Sequence, residues 1–100
     1  MSENSFSAKA IRAGYESSEH FNSVVPPIYQ TASFDLHDID RTRRLWTGAE
    51  AGGIYSRVGT PTGSILETRI AELDGGKAAV ALSSGMAAIT YTLLLLAQGG

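Results

Sequence analysis

The chain has no cysteine and, in 100 residues, only two histidines, His20 and His37. That excludes a disulfide framework and a thiolate nucleophile, and two histidines with no cysteine beside them do not make a zinc cluster of recognisable spacing. An excess of one charge is also missing: 8 Lys+Arg stand against 10 Asp+Glu, a net charge of −2. Without a basic field to release counterions, a general nucleic-acid binder is excluded. Nor is there a hydrophobic run of membrane length. The apolar stretch from Met86 to Ala97 falls short of the roughly 20 residues that a span requires, and Met1-Ser2-Glu3-Asn4-Ser5 has neither the basic region nor the apolar core of a signal peptide. No membrane partner is expected, and the cytoplasm is the expected location.

What is present is an ordinary globular composition, 43% hydrophobic and 18% charged, enough for a modest core. The patterns divide near Gly52-Gly53. Before that point they are short and broken by proline; after it they are long and regular. The division predicts an arm over residues 1–53 and the start of a larger domain over residues 54–100.

In the arm, Phe6 to Ala13 reads as a short helix stopped at Gly14, a residue able to take the left-handed conformation of a C-cap. Val24 through Phe34 reads as extended, because Pro26-Pro27 fixes two φ angles and removes two donors. Asp38 is placed to cap a helix running to about Trp46, with Ile39, Thr42, Leu45 and Trp46 on its inner side. The arginines of that helix, Arg41, Arg43 and Arg44, read as a solvated face and are assigned no chemistry.

In the second part, Thr60 is an acceptable N-cap and Pro61 suits the first helical position. Leu66, Ile70 and Leu73 recur at i, i+4 and i+7, which predicts a helix from Pro61 to Leu73 stopped by Asp74-Gly75-Gly76. The small apolar run Ala78-Ala79-Val80-Ala81-Leu82 is consistent with a strand buried on both faces. From Gly85 a helix apolar nearly all round extends to Ala97, and such a helix must be covered on all sides. One strand and one apolar helix cannot cover each other, so the expected fold class is α/β, a helix-strand-helix beginning a domain that continues beyond Gly100.

Two segments point to anion chemistry. Tyr55-Ser56-Arg57-Val58-Gly59-Thr60-Pro61-Thr62 sets a tyrosine hydroxyl and a permanently charged, planar guanidinium before a helix start, a pair suited to phosphate oxygens. Equally, the octet reads as a surface turn. Ser83-Ser84-Gly85-Met86-Ala87 leads from the expected strand into a helix, where unpaired backbone N–H groups hold phosphate in many α/β folds; Ser84 could also merely cap a core helix. Neither serine sits in a nucleophile elbow, and Gly75-Gly76-Lys77 lacks the remaining residues of a phosphate-binding P-loop.

Tyr55-Ser56-Arg57-x-Gly59-x-Pro61-Thr62, Leu66-Glu67, Ala71-x-Leu73-x-Gly75-Gly76 and Ser83-Ser84-Gly85-Met86-Ala87-Ala88-Ile89 together resemble the N-terminal part of the pyridoxal-phosphate-dependent enzymes of Cys/Met metabolism. The likeness extends upstream through Ala10-Ile11-x-Ala13-Gly14 and Val25-Pro26-Pro27-Ile28-Tyr29-Gln30-Thr31-Ala32-Ser33-Phe34. The wording from Leu45 to Arg57 is most similar to the O-acetylhomoserine sulfhydrylases. Two positions depart from the pattern: Thr60 stands where asparagine is usual, and Arg12 where histidine is common.

The resemblance implies a fold-type I enzyme with pyridoxal 5'-phosphate as cofactor. It implies that Gly85 and Met86 give backbone donors to the cofactor phosphate, and that Tyr55 and Arg57 give side-chain donors to the same phosphate from a neighbouring subunit. The partners it implies are copies of the same chain, in a dimer with a shared site assembled further into a tetramer, and a small amino-acid substrate. The reaction implied is γ-replacement of acetate by sulfide or thiol, in homocysteine and methionine biosynthesis, with cystathionine γ-synthase or γ-lyase activity as the alternative. No residue of this chain is assigned a catalytic role: the Schiff-base lysine, the ring-stacking tyrosine and the aspartate on the pyridine nitrogen are expected beyond Gly100, and neither Lys9 nor Lys77 matches the lysine motif. The hundred residues alone are expected to be inactive, and a non-catalytic assembly or phosphate-binding module is the reading from another class.

Overall fold

A computed structural model describes residues 5–98. Four α-helices are present: α1 (Phe6–Arg12), α2 (Ile39–Thr47), α3 (Pro61–Asp74) and α4 (Gly85–Ala97), with a short 3-10 turn at Ser17–His20. Each α-helix begins at a side chain that accepts an otherwise unpaired N–H. Ser5 takes that of Ala8, Asp38 that of Arg41, Thr60 that of Gly63 and Ser84 that of Ala87, satisfying one of the orphan donors at each start.

The first helix lies against α3, and no other two helices among the described residues are in contact. Glycine makes that approach possible. Gly14 takes φ +74, and a Cβ there would stand 2.8 Å from Thr68 Cβ and 2.9 Å from the Ile65 carbonyl oxygen. Ala8, Ile65 and Ala71 are buried. Arg69 Nε donates to the Ala13 carbonyl at 2.9 Å, tying the end of α1 to α3.

The proline strip then crosses to the start of α3 and is stitched to it by one hydroxyl. Thr62 Oγ1 accepts from the Tyr29 N–H and donates to the Pro27 carbonyl, each at 2.9 Å. Behind the strip, His20 is 9% exposed, stacks on Tyr15 and places Nδ1 2.7 Å from the Tyr29 hydroxyl. The chain next pairs with itself in one antiparallel bridge, Ser33 with Tyr55. The flanking bonds run from Phe34 N–H to the Ile54 carbonyl (3.2 Å) and from Ser56 N–H to the Ala32 carbonyl (2.8 Å).

Three expectations are corrected. Residues 78–82 have no regular secondary structure, and no strand is formed among the described residues; a buried strand needs neighbours on both sides, and none is present. No residue of α4 is buried, in keeping with the expectation that these residues cannot cover an all-apolar helix. On the inner side expected for α2, Leu45 is buried and Thr42 half-buried, whereas Ile39 and Trp46 are exposed. On α3 the buried positions are Ile65 and Ala71, whereas Leu66 and Ile70 of the periodic stripe are exposed. The stripe and α4 present a large apolar surface of the kind that marks an interface with further structure.

Candidate phosphate-binding site

Tyr55 leaves the bridge with Ser33 and enters a tight turn, its carbonyl accepting from Val58 N–H (2.9 Å) and Gly59 N–H (3.1 Å). The turn reverses the chain so that Arg57 returns over Tyr55, with its guanidinium carbon 5.1 Å from the ring centroid, within cation–π range. Both residues are exposed. Thr60 and Pro61 then start α3. A groove of about 300 Å³ lies beside the turn, lined by Gly52, Gly53 and Ile54 and by Val58 to Pro61. Neither Tyr55 nor Arg57 lines it, so it is not the space these two donors address.

At the second segment, Ser84 is extended (φ −154, ψ 155) and its hydroxyl takes the Ala87 N–H at 3.1 Å. That leaves the two preceding amides, those of Gly85 and Met86, without a bonded acceptor among the described residues. They point out of the first turn of a helix, where the macrodipole is positive and anions are favoured. A Cβ on Gly85 would meet nothing within 4 Å, so nothing within this chain demands glycine there.

Two candidate half-sites thus stand in the chain, with no hydrogen bond between them among the described residues. Tyr55 and Arg57 are brought together; no hydrogen bond or ring contact among the described residues joins either of them to Gly85 or Met86. The donor chemistry suits a phosphate in each half: a cationic fork and a phenol in one, two unspent amides with open space before them in the other. It does not suit a metal, since no cluster of three His, Asp or Glu side chains stands among the described residues.

The basic helix face is spent on the protein itself. Arg41 Nε and Arg44 Nε hold opposite oxygens of Glu50 at 2.9 and 3.0 Å, and these bonds, that from Arg44 first, hold the Glu50 carboxyl below its ordinary pKa. Sequence reasoning missed this clasp, the His20–Tyr29 contact and the Thr62 stitch. The last two join residues 9 to 35 positions apart, a separation that no local pattern encodes.

No helix of the described residues is long and apolar enough to cross a membrane. The family model for Cys/Met metabolism PLP-dependent enzymes matches residues 7–100. Among curated proteins, an L-methionine gamma-lyase of Pseudomonas putida is 44% identical over 95 residues, which is 95% of this chain and 24% of the relative. An O-acetyl-L-homoserine sulfhydrylase of Thermus thermophilus is 42% identical over 95 residues, with 95% and 23% covered. Among solved structures, a Campylobacter jejuni protein assigned as an O-acetylhomoserine (thiol)-lyase, bearing a pyridoxyl group on a lysine, superposes with a TM-score of 0.80 at 31% identity; 89% of this chain and 22% of that one are covered. The chain therefore spans about a quarter of the length of the relatives it matches. The fold class is that of the α/β, fold-type I enzymes, of which these residues form a helical portion. With the family model matching residues 7–100, the chain belongs to the pyridoxal-phosphate-dependent Cys/Met metabolism enzyme family.

Proposed function

We propose that this chain supplies the phosphate grip of a pyridoxal-phosphate-dependent O-acetylhomoserine sulfhydrylase, which replaces acetate at the γ-carbon by sulfide or a thiol to give homocysteine or a thioether. The observation that carries the proposal is the unspent amide pair of Gly85 and Met86: the first N–H groups of a helix have no intrahelical acceptor, and Ser84 takes only that of Ala87. In this reading the arm, residues 1–53, makes intersubunit contacts, and residues 54–100 begin the cofactor domain.

Bound pyridoxal phosphate supplies the electron sink that makes bonds at the α- and β-carbons of an amino acid labile. The residues of this chain anchor it. Gly85 and Met86 donate backbone N–H groups to phosphate oxygens at the positive end of α4, and Gly85 lets the anion approach the backbone closely. Arg57 adds a bidentate, charge-assisted contact and Tyr55 a hydroxyl donor from a neighbouring copy. No hydrogen bond within the described residues joins the two pairs, which is compatible with such sharing. No side chain of this chain is given a proton-transfer role, and the cytoplasm is the proposed location.

The γ-lyase reading is kept beside it, because the Pseudomonas methionine lyase and the Thermus sulfhydrylase differ in identity to this chain by about two positions in 95. The complete enzyme separates the two. Homocysteine formed from O-acetylhomoserine and sulfide at a rate far above 2-oxobutanoate release from methionine supports the sulfhydrylase; the reverse order assigns the lyase. Absence of turnover in both, with no bound cofactor in the visible spectrum, would favour the non-catalytic reading.

A further inference from the structure

We infer that Gly53 is a positioning residue for the phosphate grip: the Phe34 ring seats directly on its backbone and thereby fixes the register that aims Tyr55 and Arg57. The inference rests on the phosphate reading given above and names what sets its geometry.

Gly53 has no positive φ, so backbone freedom does not explain it. Space does. A Cβ at this position would lie 2.6 Å from Phe34 Cγ and 2.7 Å from both Cδ atoms, far inside contact distance and against the root of a planar ring, not a flexible tip. The same ring belongs to the residue whose N–H donates to the Ile54 carbonyl. One residue further on, Ser33 and Tyr55 form the bridge, and Ser56 N–H closes it on the Ala32 carbonyl. Phe34 is half-buried, and Gly53, Ile54 and Tyr55 follow one another without a spare residue. A methyl group on Gly53 must therefore lift the ring or displace the backbone that carries the next two residues.

The bridge is a single pair, with two hydrogen bonds and no second strand to hold it. Its register is correspondingly easy to lose, since a slip by one residue turns every side chain to the opposite face. A shift at Gly53 passes directly into the turn where the Tyr55 carbonyl holds Val58 and Gly59 and where Arg57 folds over the Tyr55 ring. Charge-assisted donors are sensitive to such shifts because they weaken steeply as the angle closes.

The test uses the complete enzyme carrying Gly53→Ala, Phe34→Ala, the two together, and Arg57→Ala. The readouts are the dissociation constant of pyridoxal phosphate from the apoenzyme and hydrogen exchange at the Ser56 amide. Gly53→Ala should raise the dissociation constant by about tenfold, as overpacking moves the donors, and speed exchange at Ser56. The double variant, in which the ring no longer opposes the new methyl, should bind cofactor more tightly than Gly53→Ala alone. Weakened binding in Arg57→Ala with wild-type binding in Gly53→Ala overturns this inference and leaves the phosphate reading standing. Wild-type binding in Arg57→Ala overturns the phosphate reading and the inference with it. Should Gly53→Ala not fold, Phe34→Ala removes the same contact without adding atoms: faster Ser56 exchange with weaker cofactor binding supports the inference, and unchanged binding overturns it.

Discussion

The guanidinium of Arg57 lies 5.1 Å from the centre of the Tyr55 ring, folded back across the turn that begins at the Tyr55 carbonyl. The pair is preorganised as a unit, so the two side chains differ in worth mainly by charge. Arg57→Ala should weaken cofactor affinity by about 1.5–3 kcal/mol, the usual contribution of a hydrogen bond to a charged group, whereas Tyr55→Phe should cost less because the ring that carries Arg57 remains. Cofactor titration of the two apoenzymes, followed by absorbance, checks the order. Unchanged retention in Arg57→Ala counts against the phosphate role.

Sharing between subunits makes a separate prediction. Arg57→Ala protomers mixed with protomers defective only in the cofactor-bearing lysine should form dimers in which one site has all its parts. Recovered activity after mixing, scaled to the fraction of heterodimer, is the expected outcome. No recovery would argue that the grip and the lysine act within one chain.

How far the residues announce this arrangement depends on the range of the forces involved. Asp38, Thr60, Ser84 and Gly75 act within one helical turn, and all four stand where sequence reasoning puts them. Pro26-Pro27 acts equally locally, and residues 24–34 form no helix, although Val24, Val25 and Ala32 are bends. Residues 78–82 carry a strand's composition, but pairing is supplied by other segments, and without them the run stays unpaired. The stripe Leu66, Ile70 and Leu73 marks α3 by its period but not its buried side, since Gly14 seats against Ile65 and Thr68 and the buried residues are Ile65 and Ala71. For the site, residue types and order single out the two candidate segments, whose phosphate role is a proposal. The unspent amides at Gly85 and Met86, and the seating of Phe34 on Gly53, needed coordinates.

Gly14 holds the only helix–helix contact of the described residues together by being small and left-handed at once. Gly14→Ala should destabilise the complete enzyme's N-terminal portion by about 2–4 kcal/mol, combining the left-handed penalty with overpacking against Thr68. Hydrogen exchange should report this as lost protection in α1 and α3 with α2 unaffected.

Glu50 makes a pH prediction whose sign is fixed by its two arginine donors. Its carboxyl is held below the ordinary value of 4.5, first by the hydrogen bond from Arg44 and then by that from Arg41. A carboxyl with a depressed folded-state pKa contributes stability that is fully present above 4.5 and lost as pH falls through the lower, folded value. Glu50→Gln should therefore be less stable than the wild type at neutral pH by an amount that shrinks below pH 4.5. Local exchange at Ala49 and Glu50, whose amides both donate to the Arg44 carbonyl, reads this without requiring global unfolding. A wild-type and Glu50→Gln difference that grows on acidification would show that the arginines do not set the charge of Glu50.

The last prediction concerns where the chemistry is done. Lys9 lies on α1, and Lys77 follows the Gly75-Gly76 stop of α3 in the unpaired stretch before Ser83. The proposed phosphate seat uses the start of α4 and an arginine from the turn at Tyr55, and assigns neither lysine a part in it. Borohydride reduction of the cofactor-loaded enzyme should therefore fix the pyridoxyl group on a lysine outside these hundred residues, and peptide mapping should find Lys9 and Lys77 unmodified. The related Campylobacter protein, which carries its pyridoxyl group on a lysine while this chain matches 22% of it, is consistent with that division. A stoichiometric adduct at Lys77 would sink it, since the aldehyde would then stand beside α3 and the amides of Gly85 and Met86 would be holding something other than its phosphate.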